Sequence, residues 1–182
     1  MNNILVSIII PTYKNRGNLK RSIDSALSQT YDNIEIIVVD DNDPETPQRK
    51  STELVLSQYD GNDKVIYIKH EHNKNGSAAR NTGWRHSHGQ FIAFLDDDDR
   101  YLPEKTEKEL KFLLDHNEFD AAYTFEESEN NVVIQTPPYE GDVSKQILLL
   151  QSHIQTSTIM FRRNALEKIN GFDESFRRHQ DL

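Results

Sequence analysis

The feature of this sequence that most constrains its fold is an apolar run that leads directly into four aspartates. Residues 91–95 are all apolar, and residues 96–99 are Asp-Asp-Asp-Asp. The apolar run predicts a buried strand whose C-terminal end opens to solvent. Four adjacent carboxylates repel one another, at about 1 kcal/mol per close pair. The sequence therefore predicts a positive partner at this strand end.

A divalent cation is the partner that these side chains favour. Mg²⁺ and Mn²⁺ prefer carboxylate oxygens, and Mg²⁺ usually completes its coordination with water and substrate phosphates. The alternative is a solvated acidic turn before a helix, where aspartates also favour the positive end of the helix dipole. For an isolated run of four aspartates, both interpretations stay open.

Length, charge and composition exclude several classes of protein. The 182 residues are enough for one domain with a substantial core. The net charge of -9 and the lack of a dense basic segment argue against nucleic acid as a partner. No apolar run approaches the roughly 18 residues of a membrane span, and no signal segment begins the chain, so we expect a cytoplasmic protein. With no cysteine, disulfides, thiolate catalysis and cysteine-ligated zinc are excluded.

Strand and helix patterns alternate along the chain. Apolar runs predict strands at residues 4–10, 34–39, 64–69, 91–95, 120–125 and 157–161, and a hairpin at 126–138. Helical spacing predicts helices at residues 18–30, 44–58, 77–84 with Ser77 as its cap, 103–116, 146–151 and 163–169. This alternation predicts an α/β fold, with a mostly parallel sheet flanked by helices on both faces.

Three of the predicted strands end in residues suited to ligand binding. Parallel sheets bind ligands beyond the C-terminal ends of their strands, and these ends carry Pro11, Asp41 and Asp96 with their neighbours. Asp41 is placed to accept hydrogen bonds from a base or ribose. Asp96 and Asp98 are suited to a cation that bridges two phosphates, and Arg80 to an anion. Together they describe a nucleoside diphosphate held through a metal, although each alone is equally typical of a turn or a surface residue.

Other conspicuous side chains favour simpler interpretations. The pairs His70/His72 and His86/His88 lie in polar segments and lack a carboxylate at metal-site spacing, so we predict solvated histidines. Trp84 is predicted to lie in the core, because Gly83 beside it favours close packing.

Six segments, taken in order, resemble one known family. They are residues 6–13 (VSIIIPTY), 25–31 (SALSQTY), 35–42 (EIIVVDDN), 75–83 (NGSAARNTG), 94–99 (FLDDDD), and 171–173 (GFD) with 179–181 (HQD). In this order they resemble the inverting family 2 glycosyltransferases, which implies a GT-A, Rossmann-like fold. The match runs through essentially the whole chain.

The resemblance implies roles for the residues that would bind the nucleotide. Pro11, Thr12 and Tyr13 would line the base pocket, largely through main chain and ring contact. Asp41 would hydrogen-bond the base. Arg80 would lie near the nucleotide and its phosphates.

The resemblance also implies a metal pair and a catalytic base. Asp96 and Asp98 would form the family's Asp-x-Asp pair, with Asp98 the direct ligand of Mn²⁺ or Mg²⁺ and Asp97 facing the ribose or sugar. The register within the four aspartates stays open by one residue. Asp181 falls where the family carries the base that takes a proton from the acceptor hydroxyl.

The implied activity is transfer of a sugar from a nucleoside-diphosphate sugar, with UDP the commonest nucleotide, to a glycan or lipid-linked acceptor in surface polysaccharide synthesis. Residues 1–182 would form one GT-A domain, with a nucleotide part at about 1–100 and an acceptor part at about 101–182. We expect the acceptor part to be incomplete, because the chain stops without a helix stop signal. An enzyme with such acceptors would work in the cytoplasm, at the inner face of the cell membrane.

Two alternatives remain at this point. One is a module that binds a nucleotide sugar without catalysis. The other is a haloacid-dehalogenase-like phosphatase, which also carries Asp-x-Asp after a strand. Arg100 departs from the pattern of that family, and the acidic strand comes late in the chain rather than near its start.

Overall fold

The computed structural model describes residues 3–14, 17–127, 133–134, 139–142 and 154–175. The strands are β1 (Val6–Thr12), β2 (Ile34–Asp40), β3 (Val65–Lys69), β4 (Phe91–Phe94), β5 (Ala121–Tyr123), β6 (Glu126–Glu127), β7 (Val133–Ile134) and β8 (Ile159–Arg162). The α-helices are α1 (Leu19–Leu27), α2 (Pro47–Leu56), α3 (Gly76–His86), α4 (Lys105–Asp115) and α5 (Arg163–Ile169). These are the predicted elements with bounds that differ by a few residues; most are shorter, whereas α3 extends beyond its predicted range at both ends. The predicted helix at 146–151 lies outside the described residues.

Six of these strands form one sheet, in the order β3-β2-β1-β4-β8-β5. Strand β1 pairs in parallel with both β2 and β4, and β2 pairs in parallel with β3. Strand β8 runs antiparallel to its neighbours β4 and β5. The predicted α/β fold with a mostly parallel sheet is confirmed. The chain passes from β1 through β2 to β3 and then returns to β4 on the other side of β1. The strand order therefore reverses between β1 and β4, and the C-terminal ends of these two strands are the expected ligand site.

Alternate residues of β1 enter two separate hydrophobic clusters. Ile8 and Ile10 pack with Leu19 of α1 and Leu110 of α4 on one face of the sheet. Ile9 packs on the other face, in the cluster that contains Ala79 and Trp84 of α3 and Leu166 of α5. Because successive side chains of a strand point to opposite faces, helices cover the sheet on both sides, as predicted. Trp84 is 6% exposed, which confirms its place in the core.

Helix α3 lies unusually close to the sheet. A Cβ atom added to Gly83 would lie 2.2 Å from Ile9 Cγ2 and 3.3 Å from Val39 Cγ2. A glycine is therefore required at this contact if the helix is to keep its distance from β1 and β2. The close approach brings the same helix, with Arg80, to the C-terminal edge of the sheet.

Some local predictions need correction. Asn75, not Ser77, caps α3, since its Oδ1 accepts the N–H of Ala78 at 3.1 Å. Strand β8 begins two residues later than predicted, because Thr156–Thr158 forms a 3-10 turn. The predicted hairpin is present, with β6 and β7 paired antiparallel. Within the described part of the chain, no helix is long and apolar enough to cross a membrane.

Candidate functional site

A cleft of about 250 Å³ lies at the C-terminal edge of the sheet. It contains every predicted site residue that the structure describes, together with two residues of α3. The lining residues are Pro11, Thr12, Tyr13, Asp41, Gly76, Ala79, Arg80, Asp96, Asp97 and Asp98. Residues up to 87 positions apart in the chain therefore meet here. The predicted catalytic base, Asp181, lies outside the described residues. A larger groove, of about 570 Å³, lies along the edge strand β3 and contains none of the predicted site residues.

The segment between β4 and α4, residues 95–104, is called the acidic loop below. Within it, Asp97 accepts a hydrogen bond of 2.5 Å from Thr12 Oγ1 at the end of β1. Burial, together with the charges of Asp98 and Asp96, raises the pKa of Asp97 to about 6, although the bond from Thr12 opposes that rise. The side chain of Asp98 is exposed, and within the described residues its carboxylate makes no hydrogen bond or ion pair. This leaves the Asp98 carboxylate open to solvent among the described residues.

Asp96 is paired with a buried arginine. Arg80 Nη2 donates to Asp96 Oδ1 at 2.6 Å, and Arg80 is 6% exposed. Its guanidinium also lies 5.8 Å from the ring centroid of Phe172. On the other side, the N–H of Asp96 donates to Ser157 Oγ at 3.0 Å. Arg80 therefore supplies a positive partner for the acidic loop from the protein itself.

Asp41 is buried and fully engaged by protein donors. Its carboxylate lies within 3.0 Å of His70 Nδ1, Asn73 Nδ2 and the N–H groups of Lys74 and Asn75. These contacts fix the loop between β3 and α3 around the end of β2. A hydrogen bond from a base to Asp41 stays a prediction, and the base would share the carboxylate oxygens with these protein donors.

The prediction that His70 is solvated is wrong. His70 is 4% exposed, and its ring fills the space between the end of β2 and helix α3. Its Nε2 lies 2.8 Å from Thr82 Oγ1, so both ring nitrogens have partners. His72, His86 and His88 are exposed, as predicted.

Helix α3 also holds the segment at residues 171–174. Asn81 Nδ2 donates to the carbonyl of Phe172 and to Glu174 Oε1, both at 2.8 Å, and Asn81 Oδ1 accepts the N–H of Phe172. Asn75 Nδ2 donates to the carbonyl of Glu174 at 2.9 Å. The ring of Phe172 packs edge-on against Phe94 of β4, with centroids 5.0 Å apart. Asn81 belongs to a segment singled out from the sequence, but its partners could not be read there.

The site suits a hard divalent cation by the type of its donors. Among the described residues, no group of three or more His, Cys, Asp or Glu side chains is arranged to hold a metal ion. Mg²⁺ and Mn²⁺ sites that complete their coordination with substrate phosphates need only one or two carboxylates. Asp98, exposed and unpaired among the described residues, meets that requirement, and Asp96 lies beside it.

Sequence comparisons identify related proteins. The model of "Glycosyl transferase family 2" matches residues 7–174. An uncharacterized glycosyltransferase of Methanocaldococcus jannaschii is 30% identical, over 100% of this chain and 63% of its own length. The UDP-Glc:alpha-D-GlcNAc-diphosphoundecaprenol beta-1,3-glucosyltransferase WfgD of Escherichia coli is 31% identical, over 91% of this chain and 63% of its own length. The chain thus spans less than two thirds of these relatives.

Solved structures share the fold. The structure of S. aureus TarS 1-349 in complex with UDP has a TM-score of 0.75 and 22% identity, and the match covers 97% of this chain and 52% of that one. The mannosyltransferase PcManGT from Pyrobaculum calidifontis, in complex with GDP-Man and Mn²⁺, has a TM-score of 0.69 and 19% identity, over 93% and 47% of the two chains. At these identities the likeness concerns the fold alone.

Proposed function

The chain belongs to glycosyl transferase family 2, and on that premise we propose that it transfers a sugar from a nucleoside-diphosphate sugar to an acceptor hydroxyl with inversion. The expected donor is a UDP-sugar, and the expected acceptor is a glycan or a lipid-linked glycan of a surface polysaccharide. One observation carries the proposal: the ends of β1, β2 and β4 meet Arg80 in a single cleft. The match with the E. coli glucosyltransferase, whose name gives UDP-Glc and a diphosphoundecaprenol acceptor, supports it.

The base side of the donor would lie against the end of β1. Tyr13 is 44% exposed at the rim of the cleft, so its ring is available to stack on a base. Pro11 and Thr12 would offer main chain, and Asp41 would contact the base at the end of β2. TarS in complex with UDP and PcManGT in complex with GDP-Man share this fold, which supports a nucleotide donor.

The diphosphate would lie beside the acidic loop, near Arg80. Asp98 would bind Mn²⁺ or Mg²⁺ with Asp96 beside it, and Asp97 would face the ribose or sugar. When bound, the cation stabilises the negative charge that develops on the leaving diphosphate. The guanidinium of Arg80 would hold Asp96 in place next to that charge.

Asp181 is proposed as the base that takes the proton of the acceptor hydroxyl as its oxygen attacks the anomeric carbon. The donor would bind to residues 1–100, and residues 101–182 would contribute to the acceptor side. A lipid-linked acceptor would bring the protein to the inner face of the membrane.

A thermal-shift screen of nucleoside diphosphates tests the donor site. At 100 times its dissociation constant, a ligand of the folded state raises the midpoint by about 5–10 °C for a chain of this size. UDP or GDP should do so with Mn²⁺ and should give no measurable shift at the same concentration with EDTA, where binding is much weaker. Asp98→Ala should abolish the shift, while Asp32→Ala, before β2 at the opposite end of the sheet, should leave it unchanged. A full shift in Asp98→Ala would remove Asp98 as the metal ligand.

Incubation with UDP-sugars and Mn²⁺ separates the remaining alternatives. Release of UDP with transfer or hydrolysis of the sugar supports the enzyme. Metal-dependent nucleotide binding without turnover would instead favour a binding module. The phosphatase alternative is wrong, because the family match covers residues 7–174.

A further inference from the structure

The polar edge of α1 runs along the backbone of the acidic loop. Part of this edge lies in residues 25–31, one of the segments that carry the family resemblance and one to which the sequence assigns no role. The polar side chains of α1 and the residues just after it contact main-chain groups of residues 98–106, about 75 positions later in the chain. None of these α1 residues lines the cleft.

Two serines on successive turns of α1 bind the first part of the loop. Ser22 Oγ donates to the carbonyl of Asp99 at 2.6 Å, and Ser22 is fully buried. Ser25 Oγ accepts the N–H of Tyr101 at 3.0 Å and donates to the carbonyl of Ser22 at 2.8 Å. Residues three apart lie on the same side of a helix, so the two hydroxyls meet the loop backbone two residues apart, at Asp99 and Tyr101.

Gln29 binds the second part of the loop. Its Nε2 donates to the carbonyl of Leu102 at 3.0 Å, and its Oε1 accepts the N–H of Thr106 at 2.9 Å. Thr106 lies in the first turn of α4, and Glu104, the N-cap residue of that helix, makes no side-chain cap bond. Gln29, which lies just after the C-cap of α1, therefore supplies the cap that α4 does not supply for itself.

The opposite side of the loop is fixed as well. Tyr101 is 5% exposed, and its hydroxyl donates to the carbonyl of Phe94 at 2.6 Å. Between this bond and the contacts from α1, the backbone on the C-terminal side of Asp98 has little freedom. The side chain of Asp98 is left exposed.

We propose that Ser22, Ser25 and Gln29 are positioning residues for the metal and diphosphate site. They hold the backbone of the acidic loop so that its carboxylates stay together despite their mutual repulsion. A cation then finds its ligands already in place. This inference rests on the proposed function, since it assumes that Asp98 and Asp96 bind a metal nucleotide.

The test compares the affinity for UDP with Mn²⁺ and with EDTA, measured by calorimetry. Ser25→Ala and Gln29→Met remove the bonds to the loop and should weaken the Mn²⁺-dependent affinity about 10- to 100-fold, the usual effect of losing an outer-shell contact to a metal site. The affinity in EDTA should change less than about twofold. A general loss of stability would lower both affinities together, so the ratio of the two is the informative quantity.

Ser28→Ala is the matched control. It makes the same chemical change at the end of the same helix, where Ser28 Oγ donates to the carbonyl of Asp24 rather than to the loop. In Ser28→Ala, the ratio of the UDP affinity with Mn²⁺ to that with EDTA should equal the ratio of the unmodified protein. In Ser25→Thr, which keeps the hydroxyl, this ratio should be much closer to that of the unmodified protein than in Ser25→Ala. If Gln29→Met does not fold, the comparison of Ser25→Ala, Ser25→Thr and Ser28→Ala decides the question.

The failures of the two proposals are distinguishable. If the unmodified protein binds UDP equally with Mn²⁺ and with EDTA, the proposed function is wrong. If it binds in a metal-dependent way, and Ser25→Ala and Gln29→Met keep the same ratio as Ser28→Ala, the positioning role is wrong while the proposed function stands.

Discussion

Arg80 Nη2 lies 2.6 Å from Asp96 Oδ1, and this ion pair joins helix α3 to the acidic loop. The side chain of Arg80 is 7% exposed, whereas that of Asp96 is 32% exposed. The arginine is therefore held within the protein, and the carboxylate faces the cleft. When one partner of such a pair is removed, the other is left with an uncompensated charge in a poorly solvated place.

We expect Arg80→Gln to weaken both the fold and the donor site. The free energy of unfolding should fall by about 1–3 kcal/mol, less than for a fully buried pair because Asp96 keeps part of its water. The affinity for UDP with Mn²⁺ should fall as well. Arg80→Lys should not restore it, because an ammonium group lacks the planar fork of donors. Urea unfolding and UDP titration measure the two effects.

The control for this prediction is Arg85→Gln on the same helix. Arg85 makes an exposed pair with Glu174 at 3.4 Å, and exposed pairs contribute about 0–1 kcal/mol. Equal losses of UDP affinity in the two variants would show that Arg80 has no particular role at the site.

We expect Asn81→Asp to slow sugar transfer while leaving donor affinity nearly unchanged. The substitution keeps Oδ1, which accepts from Phe172 and Trp84. It replaces the Nδ2 donor by an oxygen that faces the carbonyl of Phe172 and the carboxylate of Glu174. This repulsion should displace residues 171–174, which precede the proposed base Asp181. The rate of transfer should fall about 10- to 100-fold, as expected for a misplaced reacting group.

Steady-state rates and UDP titration check this prediction together. Asn62→Asp is a suitable control, because Asn62 is exposed and its Oδ1 accepts the N–H of Lys64. A variant Asn81→Asp with lower UDP affinity and an unchanged rate would contradict the expected effect.

The sequence predicted the sheet and the meeting of strand ends because both follow from local patterns. A largely apolar run such as residues 34–39 is typical of a strand in a sheet covered on both faces. The C-terminal ends of parallel strands lie at one edge of such a sheet. That is why the strand ends alone place Thr12, Asp41 and Asp97 together. The position of Trp84 in the core was predicted from another local feature, the glycine beside it.

The partners of single polar residues could not be predicted in this way. His70 stands in a polar segment, and its burial follows only from the distance between β2 and α3, which Gly83 sets. Asn75 and Ser77 are both residue types favoured at an N-cap, and the sequence does not show that Asn75, with φ +91°, is the one that caps α3. Gln29 is an amide side chain just after the end of α1. The sequence does not indicate that it binds Thr106, which lies 77 positions later.

We expect Gly83→Ala to destabilise the protein by about 1–3 kcal/mol through overpacking. The new Cβ would lie 2.2 Å from Ile9 Cγ2, and a β-branched side chain on a central strand has little freedom to turn away. Helix α3 would have to move outward and take Arg80 with it. Urea unfolding and UDP titration should both show a loss.

Gly61→Ala provides the comparison for Gly83. It makes the same change where an added Cβ meets nothing within 4 Å, although φ is +83°. Strain of the left-handed backbone alone costs about 1–2 kcal/mol. Gly61→Ala should thus lower stability and leave UDP affinity intact, and a loss of affinity in both variants would remove the link between α3 packing and the site.

At the opposite end of the sheet, Glu35 should make stability depend on pH. Ser7 Oγ donates to Glu35 Oε1 at 2.6 Å, and the N–H groups of His88 and Gly89 donate to the same oxygen. Burial by itself would raise the pKa of Glu35, but the hydrogen bonds from Ser7 and His88 prevail and lower it below its usual value of 4.5. Glu35 thus binds a proton less readily in the folded protein than in the unfolded chain.

The sign of the effect follows from that difference. A lowered pKa stabilises the fold at pH values above 4.5, and the contribution disappears as the pH falls through the pKa of the folded protein. Glu35→Gln should therefore lower the free energy of unfolding by about 1–3 kcal/mol at pH 7, with a smaller difference at pH 3. Glu45→Gln, at an exposed site, should change stability little at either pH. A deficit in Glu35→Gln that is the same at both pH values would mean that packing, rather than the charge of Glu35, holds β1, β2 and the turn before β4 together.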